Sequence, residues 1–263
     1  MMLLEFKSKA QAKKAAGFSY IGAINISAKH TKAENYMEQT YTIYLAPANL
    51  SGYEVCPGRT PECSALCLNM SGRSKIEAYS HKNNIQNTRI KKTRLLFEQR
   101  EFFVRWMIAE IETARAKAYQ TGHRFSVRLN NTSDISPEQF YIVEDGKKIN
   151  ILEYFPEIQF YDYTKVATRA NLTKKYSNYD LTYSYSGSNT EKCLEMLKNG
   201  VRVAMVFYPV LPEKHWGYDV VNGDQFDMQY LRPKNVIIGL KYKVVPNATL
   251  DNQIYSNKFI TIV

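Results

Sequence analysis

Three of the four cysteines fall within twelve residues, in the run Cys56-Pro-Gly-Arg-Thr-Pro-Glu-Cys63-Ser-Ala-Leu-Cys67. Thiolates at that density are candidate ligands for a metal centre. Free cysteine is also among the most buried residue types, but a segment carrying Pro57, Gly58, Arg59 and Pro61 suits a loop folded around a ligand better than it suits a core. The intervals are six residues and then three. Zinc sites bring their ligands in short paired knuckles, and no second knuckle exists here, while His30, His81, His123 and His215 stand singly. An iron–sulfur cluster accepts less regular spacing, because its cysteines ligate separate irons at the corners of a large core. The spacing therefore favours an iron–sulfur cluster of the 4Fe-4S type, with zinc as the alternative.

Cys193 decides whether such a cluster is closed. It falls in the first turn of a predicted helix, where the helix N-terminus lowers a thiol pKa and favours the ligating thiolate. As a fourth ligand beside Cys56, Cys63 and Cys67 it would complete the protein ligation of four irons and suit electron transfer or a structural role. Alternatively it shares an apolar helix face with Leu194 and Leu197 and is an inert core residue.

Polar side chains gather at the ends of predicted strands. Arg128, Asn130 and Asp134 follow one strand, Asp162, Tyr163 and Lys165 a second, and Ser184 and Ser186 a third. In parallel sheets these positions face the ligand, so they form a candidate pocket, basic and hydroxyl-bearing, for an anionic ligand. Each equally suits capping of the helix that follows; residues 130–134 and Ser188-Asn189 are good N-cap material. Further on, Asp224 and Asp227 lie three apart, able to hold a divalent cation or to pair with Arg232 and Lys234. Two carboxylates alone are weak evidence for metal.

The elements that must position these groups read as an α/β chain. Residues 41–50 (YTIYLAPANL) have the β-branched and aromatic density of a buried strand. Residues 74–121 lack proline and glycine and carry apolar residues at helical spacing, among them Leu95, Leu96, Phe102, Phe103, Trp106, Ile108 and Ile111, so one long helix or two consecutive ones follow. Beyond them, strands at 125–129, 159–163, 181–186, 201–207 and 236–243 alternate with helical stretches at 165–176 and 189–199. That alternation predicts βα units on a mostly parallel sheet of six strands, or a partial βα barrel, with the long helical segment after the first strand. Residues 1–40 read as a leader packing on a single domain, 41–263.

Of the 263 residues, 44% are hydrophobic and 23% charged, ordinary globular proportions. No phosphate-loop run and no Gly-x-Gly-x-x-Gly occurs, which disfavours the common nucleotide-loop enzymes. No apolar run reaches the roughly 18 residues of a membrane span, and Glu5 and Lys7 interrupt the apolar start before a signal core develops; we expect a soluble chain with no membrane partner. The formal charge of +10 fits an acidic partner or an anionic cofactor. Its densest part is the helical stretch with Arg73, Lys75, Lys82, Arg89, Lys91, Lys92, Arg94, Arg100 and Arg105, where Lys91, Lys92 and Arg94 mark a candidate nucleic-acid face. No helix-turn-helix, finger or RNA-binding signature accompanies it, and a solvated helix surface explains the same charges.

Two resemblances add to this reading. Leu45-Ala-Pro, Cys56-Pro-Gly, Cys63, Cys67-Leu68, Gly72-Arg73, Val127-Arg128-Leu129-Asn130 and residues 160–165 (FYDYTK) together resemble the bacteriophage family described as gene product eighty-eight, over residues 41–243. The resemblance implies a phage origin, hence the cytoplasm of an infected bacterial host, and a cluster-binding protein with no assigned activity. A weaker, architectural likeness is to radical S-adenosylmethionine enzymes, which carry a Cys-x3-Cys-x2-Cys loop after the first strand of a partial barrel. Cys63 and Cys67 match its first interval, but Met70 stands at the third position and the remaining cysteine lies upstream at Cys56. The expectation is thus a phage iron–sulfur protein with a redox or cluster-dependent role and a redox partner or anionic ligand; the alternative is a zinc-stabilised nucleic-acid-binding protein. No catalytic residue is assigned by the sequence.

Overall fold

The computed structural model describes residues 4–24, 28–67, 84–243 and 256–263. The chain opens with α1 (Lys9–Ala16), started by Ser8, whose hydroxyl accepts from Gln11 N, and stopped by Gly17 at φ +69°. Then come β1 (Gly22–Ile24), α2 (Ala28–Thr31), a 3-10 turn at Lys32–Tyr36 and β2 (Glu38–Ile43). β2 is shorter than the strand expected at 41–50 and starts earlier. Its C-terminal end leaves the sheet because Ala46 N turns to the hydroxyl of Thr93, and Ala48 takes a positive φ of 52°.

After the cysteine segment with α3 (Pro61–Ala65), the described chain resumes in α4 (Asn84–Glu98) and α5 (Arg100–Gln120), two helices broken at Gln99; residues 74–83 of the expected helical stretch lie outside the described residues. The remaining elements are β3 (Arg124–Arg128), the hairpin β4 (Tyr141–Glu144) and β5 (Lys147–Asn150), α6 (Ile151–Tyr154), β6 (Gln159–Thr164), α7 (Leu172–Lys175), β7 (Tyr179–Ser184), α8 (Thr190–Lys198), β8 (Arg202–Tyr208), β9 (Lys214–His215), β10 (Tyr218–Asn222), β11 (Ile237–Lys241) and β12 (Ile260–Ile262).

The main sheet has ten strands rather than the six expected, in the order β1-β2-β3-β6-β7-β8-β11-β10-β9 with β12 also on β8, and it closes into no barrel. The six expected strands are β2, β3, β6, β7, β8 and β11. They lie side by side in chain order and pair in parallel throughout. The added strands are β1 and β9, both antiparallel at the ends, with β10, parallel to β11, and β12, parallel to β8.

When each strand is laid beside its predecessor in one direction, right-handed crossovers put the connecting helices on one face. That face carries the main core. Tyr41, Ile43, Phe125, Val127, Phe160 and Leu181 of the sheet pack with Phe103, Trp106, Met107 and Ile111 of α5. Tyr183, Val203, Met205, Phe207 and Ile237 pack with Cys193, Met196 and Leu197 of α8. Burial of each large apolar side chain contributes about 1.5–3 kcal/mol, so this face supplies most of the driving force for folding.

The sheet forks twice. β3 and β6 pair only at Ser126↔Gln159 and Val127↔Phe160 before separating. β8 pairs with β7 at residues 202–204 and, further along the same edge, with β12 at residues 206–208, because β11 occupies the opposite edge. Both forks open toward the carboxyl ends of the strands, where ligands of parallel α/β proteins sit.

Candidate functional site

The cysteine loop lies across those carboxyl ends. Thr60 caps α3, its hydroxyl accepting from Cys63 N at 3.2 Å and donating to Ser186 O beyond β7 at 3.2 Å, and Pro61 follows at the first helical position. A side chain at Gly58 would meet the backbone and Cβ of Lys165, beyond β6, at 2.9 Å, so only glycine fits there. Asn257, ahead of β12, donates to Glu62 O at 3.2 Å, and the Lys165 ammonium stands 5.5 Å over the Phe259 ring. On the other side Cys56 Sγ lies 3.8 Å from Thr132 O, and Asp134 N bonds to Val55 O, tying the loop to the end of β3.

Cys56, Cys63 and Cys67 are all half-buried. Burial pushes the Cys56 thiol up to about 12, with further upward pressure from the charges of Cys67, Asp134 and Cys63 against a backbone hydrogen bond at Ala48. Cys56 thus lies within electrostatic reach of both other sulfurs of the loop. Arg89, which stacks 5.1 Å over the Tyr44 ring, lies within electrostatic reach of Cys67. Among the described residues, no three or more His, Cys, Asp or Glu side chains are gathered closely enough to hold a metal ion.

Cys193 is placed elsewhere. It is fully buried on the apolar face of α8 with Met196, Leu197 and Val203, and burial raises its thiol to about 12. Its electrostatic neighbours are Lys165 and Tyr183 rather than the other cysteines. The helix N-terminus does not lower its thiol pKa, because desolvation is the larger effect, as it is for Cys56.

The eight expected pocket residues divide between different structures. Asn130 and Asp162 bridge the β3–β6 fork: Asn130 N and Nδ2 donate to the two carboxylate oxygens of Asp162 at 2.9 and 2.8 Å. Asp134 accepts from Thr164 Oγ1 at 2.7 Å, from Lys165 N at 2.8 Å and from Arg169 Nη1. Arg169 also reaches Asp162 and the hydroxyl of Tyr179. Burial raises Asp162 to about 6, against the pull of Arg169 and Asn130. These residues form a hydrogen-bonded knot at the fork, in which the buried Arg169 Nε is left without a partner; none of them caps a helix. Ser184 and Ser186 contribute their backbones, bonding to the side chain of Asn189.

Arg128 and Tyr163 belong to the opposite, polar face of the sheet. The guanidinium stacks 4.7 Å over the Tyr163 ring and donates from Nη1 to Asp227 Oδ2 at 2.6 Å. The same oxygen lies 2.9 Å from His30 Nε2 and accepts from the Tyr161 hydroxyl at 3.2 Å. Burial alone would raise Asp227, but Arg128 and His30 hold it well below the usual carboxylate range. Asp224 pairs instead with Lys29 and Lys243. The two acids thus do not pair with Arg232 and Lys234 as expected. His30, which the sequence left isolated, joins the site from 197 residues away, and no local signal announces it.

The candidate nucleic-acid face also needs correction. Lys91 and Arg94 are exposed, but Lys92 is buried, its ammonium 4.4 Å over the Tyr20 ring and 5.9 Å over that of Phe18, and burial lowers it to about 8. Arg73, Lys75 and Lys82 lie outside the described residues.

No helix among the described residues is long and apolar enough to cross a membrane. No curated protein and no solved structure matches the chain, so the likeness to radical S-adenosylmethionine enzymes gains no support there. The family model described as Gene product 88 matches residues 4–253, including the first strand and the helices before it as well as the cysteine loop. The chain therefore belongs to the Gene product 88 family, the bacteriophage-type family that its cysteine loop and strand-end residues resemble.

Proposed function

We propose that this protein is an iron–sulfur protein in which Cys56, Cys63 and Cys67 hold a 4Fe-4S cluster at the carboxyl ends of the sheet, for redox or cluster-dependent chemistry in the infected host. The observation that carries this reading is the spacing of the three thiols. They share one loop at the carboxyl ends of the sheet, and Cys56 lies within electrostatic reach of Cys63 and Cys67. Three thiols in one loop suit a cluster, since each cysteine ligates its own iron, whereas zinc needs four ligands on one centre. The Arg89 guanidinium near Cys67 offsets part of the negative charge that bound thiolates bring. Cys193 is left out because its side chain packs within the apolar core of α8 and β8. A cluster held by three cysteines supplies one iron able to take an exogenous ligand.

Anaerobic purification tests the reading. The protein should be brown and contain stoichiometric iron and acid-labile sulfide; Cys56→Ala, Cys63→Ala and Cys67→Ala should each deplete both, and Cys193→Ser should retain them. Stoichiometric zinc without sulfide would overturn the cluster, and loss of iron in Cys193→Ser would overturn the three-cysteine ligation.

A further inference from the structure

The polar sheet face is buried as thoroughly as the apolar one, so its hydrogen-bonding groups need partners. Toward the amino ends of the strands they have them: Thr40 and Ser126 share a hydrogen bond at 3.0 Å, and Asp227 gathers His30, Arg128 and Tyr161. One step toward the carboxyl ends the pattern changes. Thr42 is 0% exposed and its hydroxyl has no partner. Arg128, with a side chain only 12% exposed, uses Nη1 on Asp227 while its buried Nε has no partner.

These two unsatisfied groups are neighbours. The β2–β3 register pairs Thr42 with Arg128, which places both on the same face of adjacent strands. The β3–β6 register puts Arg128 level with Tyr161, one pleat short of Tyr163, and the guanidinium lies over the Tyr163 ring. Arg128 therefore reaches toward the carboxyl ends, under the cysteine loop, while Asp227 holds it from the other side. A guanidinium so fixed presents a rigid fork of donors suited to a planar or tetrahedral oxyanion. Leaving such a donor unpaired in the interior is costly.

We propose that Arg128 and Thr42 bind the carboxylate or phosphate group of a small anionic ligand at the carboxyl ends of β2 and β3. In this site the guanidinium supplies the charge, the Thr42 hydroxyl donates to a second oxygen, and Asp227 is a positioning residue that fixes the guanidinium without filling its donors. The site does not depend on what the cysteines hold.

Calorimetric titration and thermal melting of the purified protein test this, with inorganic phosphate and malonate as probes, each compared with sodium chloride at equal ionic strength. At least one probe should bind saturably; a response to phosphate alone assigns a phosphate ligand, and one to malonate alone a carboxylate. Arg128→Gln should weaken that binding at least tenfold. Thr42→Val, which keeps the side-chain shape, should weaken it at least threefold while raising the melting temperature of the ligand-free protein, because an unsatisfied buried hydroxyl is gone. The Thr42→Val result stands even if Arg128→Gln fails to fold. Absence of saturable binding to both probes, or binding unchanged in folded Thr42→Val, overturns the proposal.

Discussion

The two faces of the sheet are both buried, and they are held by different physics. On the helix side Ile43, Val127, Phe160, Val203 and Phe207 pack against α5 and α8 by area alone. That interaction has no direction and depends on filled volume. On the other side Thr40, Ser126, Arg128, Tyr161 and Asp227 are held by named partners at fixed distances. A side chain there is specified by its neighbour's chemistry. The apolar face is thus a foundation, and the polar face is where the fold spends its specificity. The cysteines span the same division, Cys193 within the foundation, Cys63 and Cys67 at the open end, and Cys56 between them, half-buried against the main core.

The sharpest way to break the comparison is thiol chemistry on metal-free protein. Iodoacetamide should modify Cys63 in the native state and Cys193 only through global unfolding, so that the rates differ by roughly 10³-fold or more, the unfolding constant of a stable domain. Peptide mapping by mass spectrometry reads both rates at once, and equal rates would erase the distinction between the two cysteine environments.

Truncation on each face should cost a similar amount for different reasons. Arg128→Met leaves the buried Asp227 carboxylate without its strongest charge partner, an effect of about 3–5 kcal/mol; Phe207→Ala opens a cavity worth about 3–5 kcal/mol. Adding Asp227→Asn to Arg128→Met should restore part of the loss, because the charge is removed while an acceptor remains for His30 and Tyr161. Denaturant melts of the single and double variants check this, and a double variant no more stable than Arg128→Met alone would show that packing, not charge, governs the polar face.

A smaller effect concerns Asp162. Its folded pKa of about 6 lies above the unfolded value, so between about pH 4 and 6 the folded state keeps a proton that the unfolded state gives up. This group's contribution to stability is therefore present at the acidic end of that window and falls as pH rises through it. Asp162→Asn removes the dependence, and relative to wild type the variant should gain about 2 kcal/mol between pH 4 and 7. A constant difference across that range would place the Asp162 pKa in the ordinary carboxylate range.

The parallel strands were legible because each is a short apolar or β-branched run, and several are followed by a helical stretch; α8 is matched to within a residue at either end. The hairpin β4–β5 went unread although Asp145-Gly146 carries the positive φ values, 49° and 74°, of a tight hairpin turn; its strands are largely exposed and lack an apolar pattern. The β9–β10 turn at Trp216-Gly217 escaped for the same reason. Lys92 was misplaced because the rings that cover it, Phe18 and Tyr20, come from over seventy residues upstream. The site was legible where its residues are contiguous, as in the cysteine loop, and illegible where it is assembled over distance, as in His30 with Asp227.

The β8 fork has a consequence in time rather than space. The loop that carries the cysteines is walled on one side by the chain around β12, through Asn257 on Glu62, a contact 195 residues apart. At roughly 5–20 residues per second of synthesis, that wall reaches the loop about 10–40 seconds after Glu62 has been made. In the last part of that interval, once β8 has itself been made, its edge beside the loop has no strand upon it, and whatever the three thiols are to hold meets a more open loop than the finished fold presents.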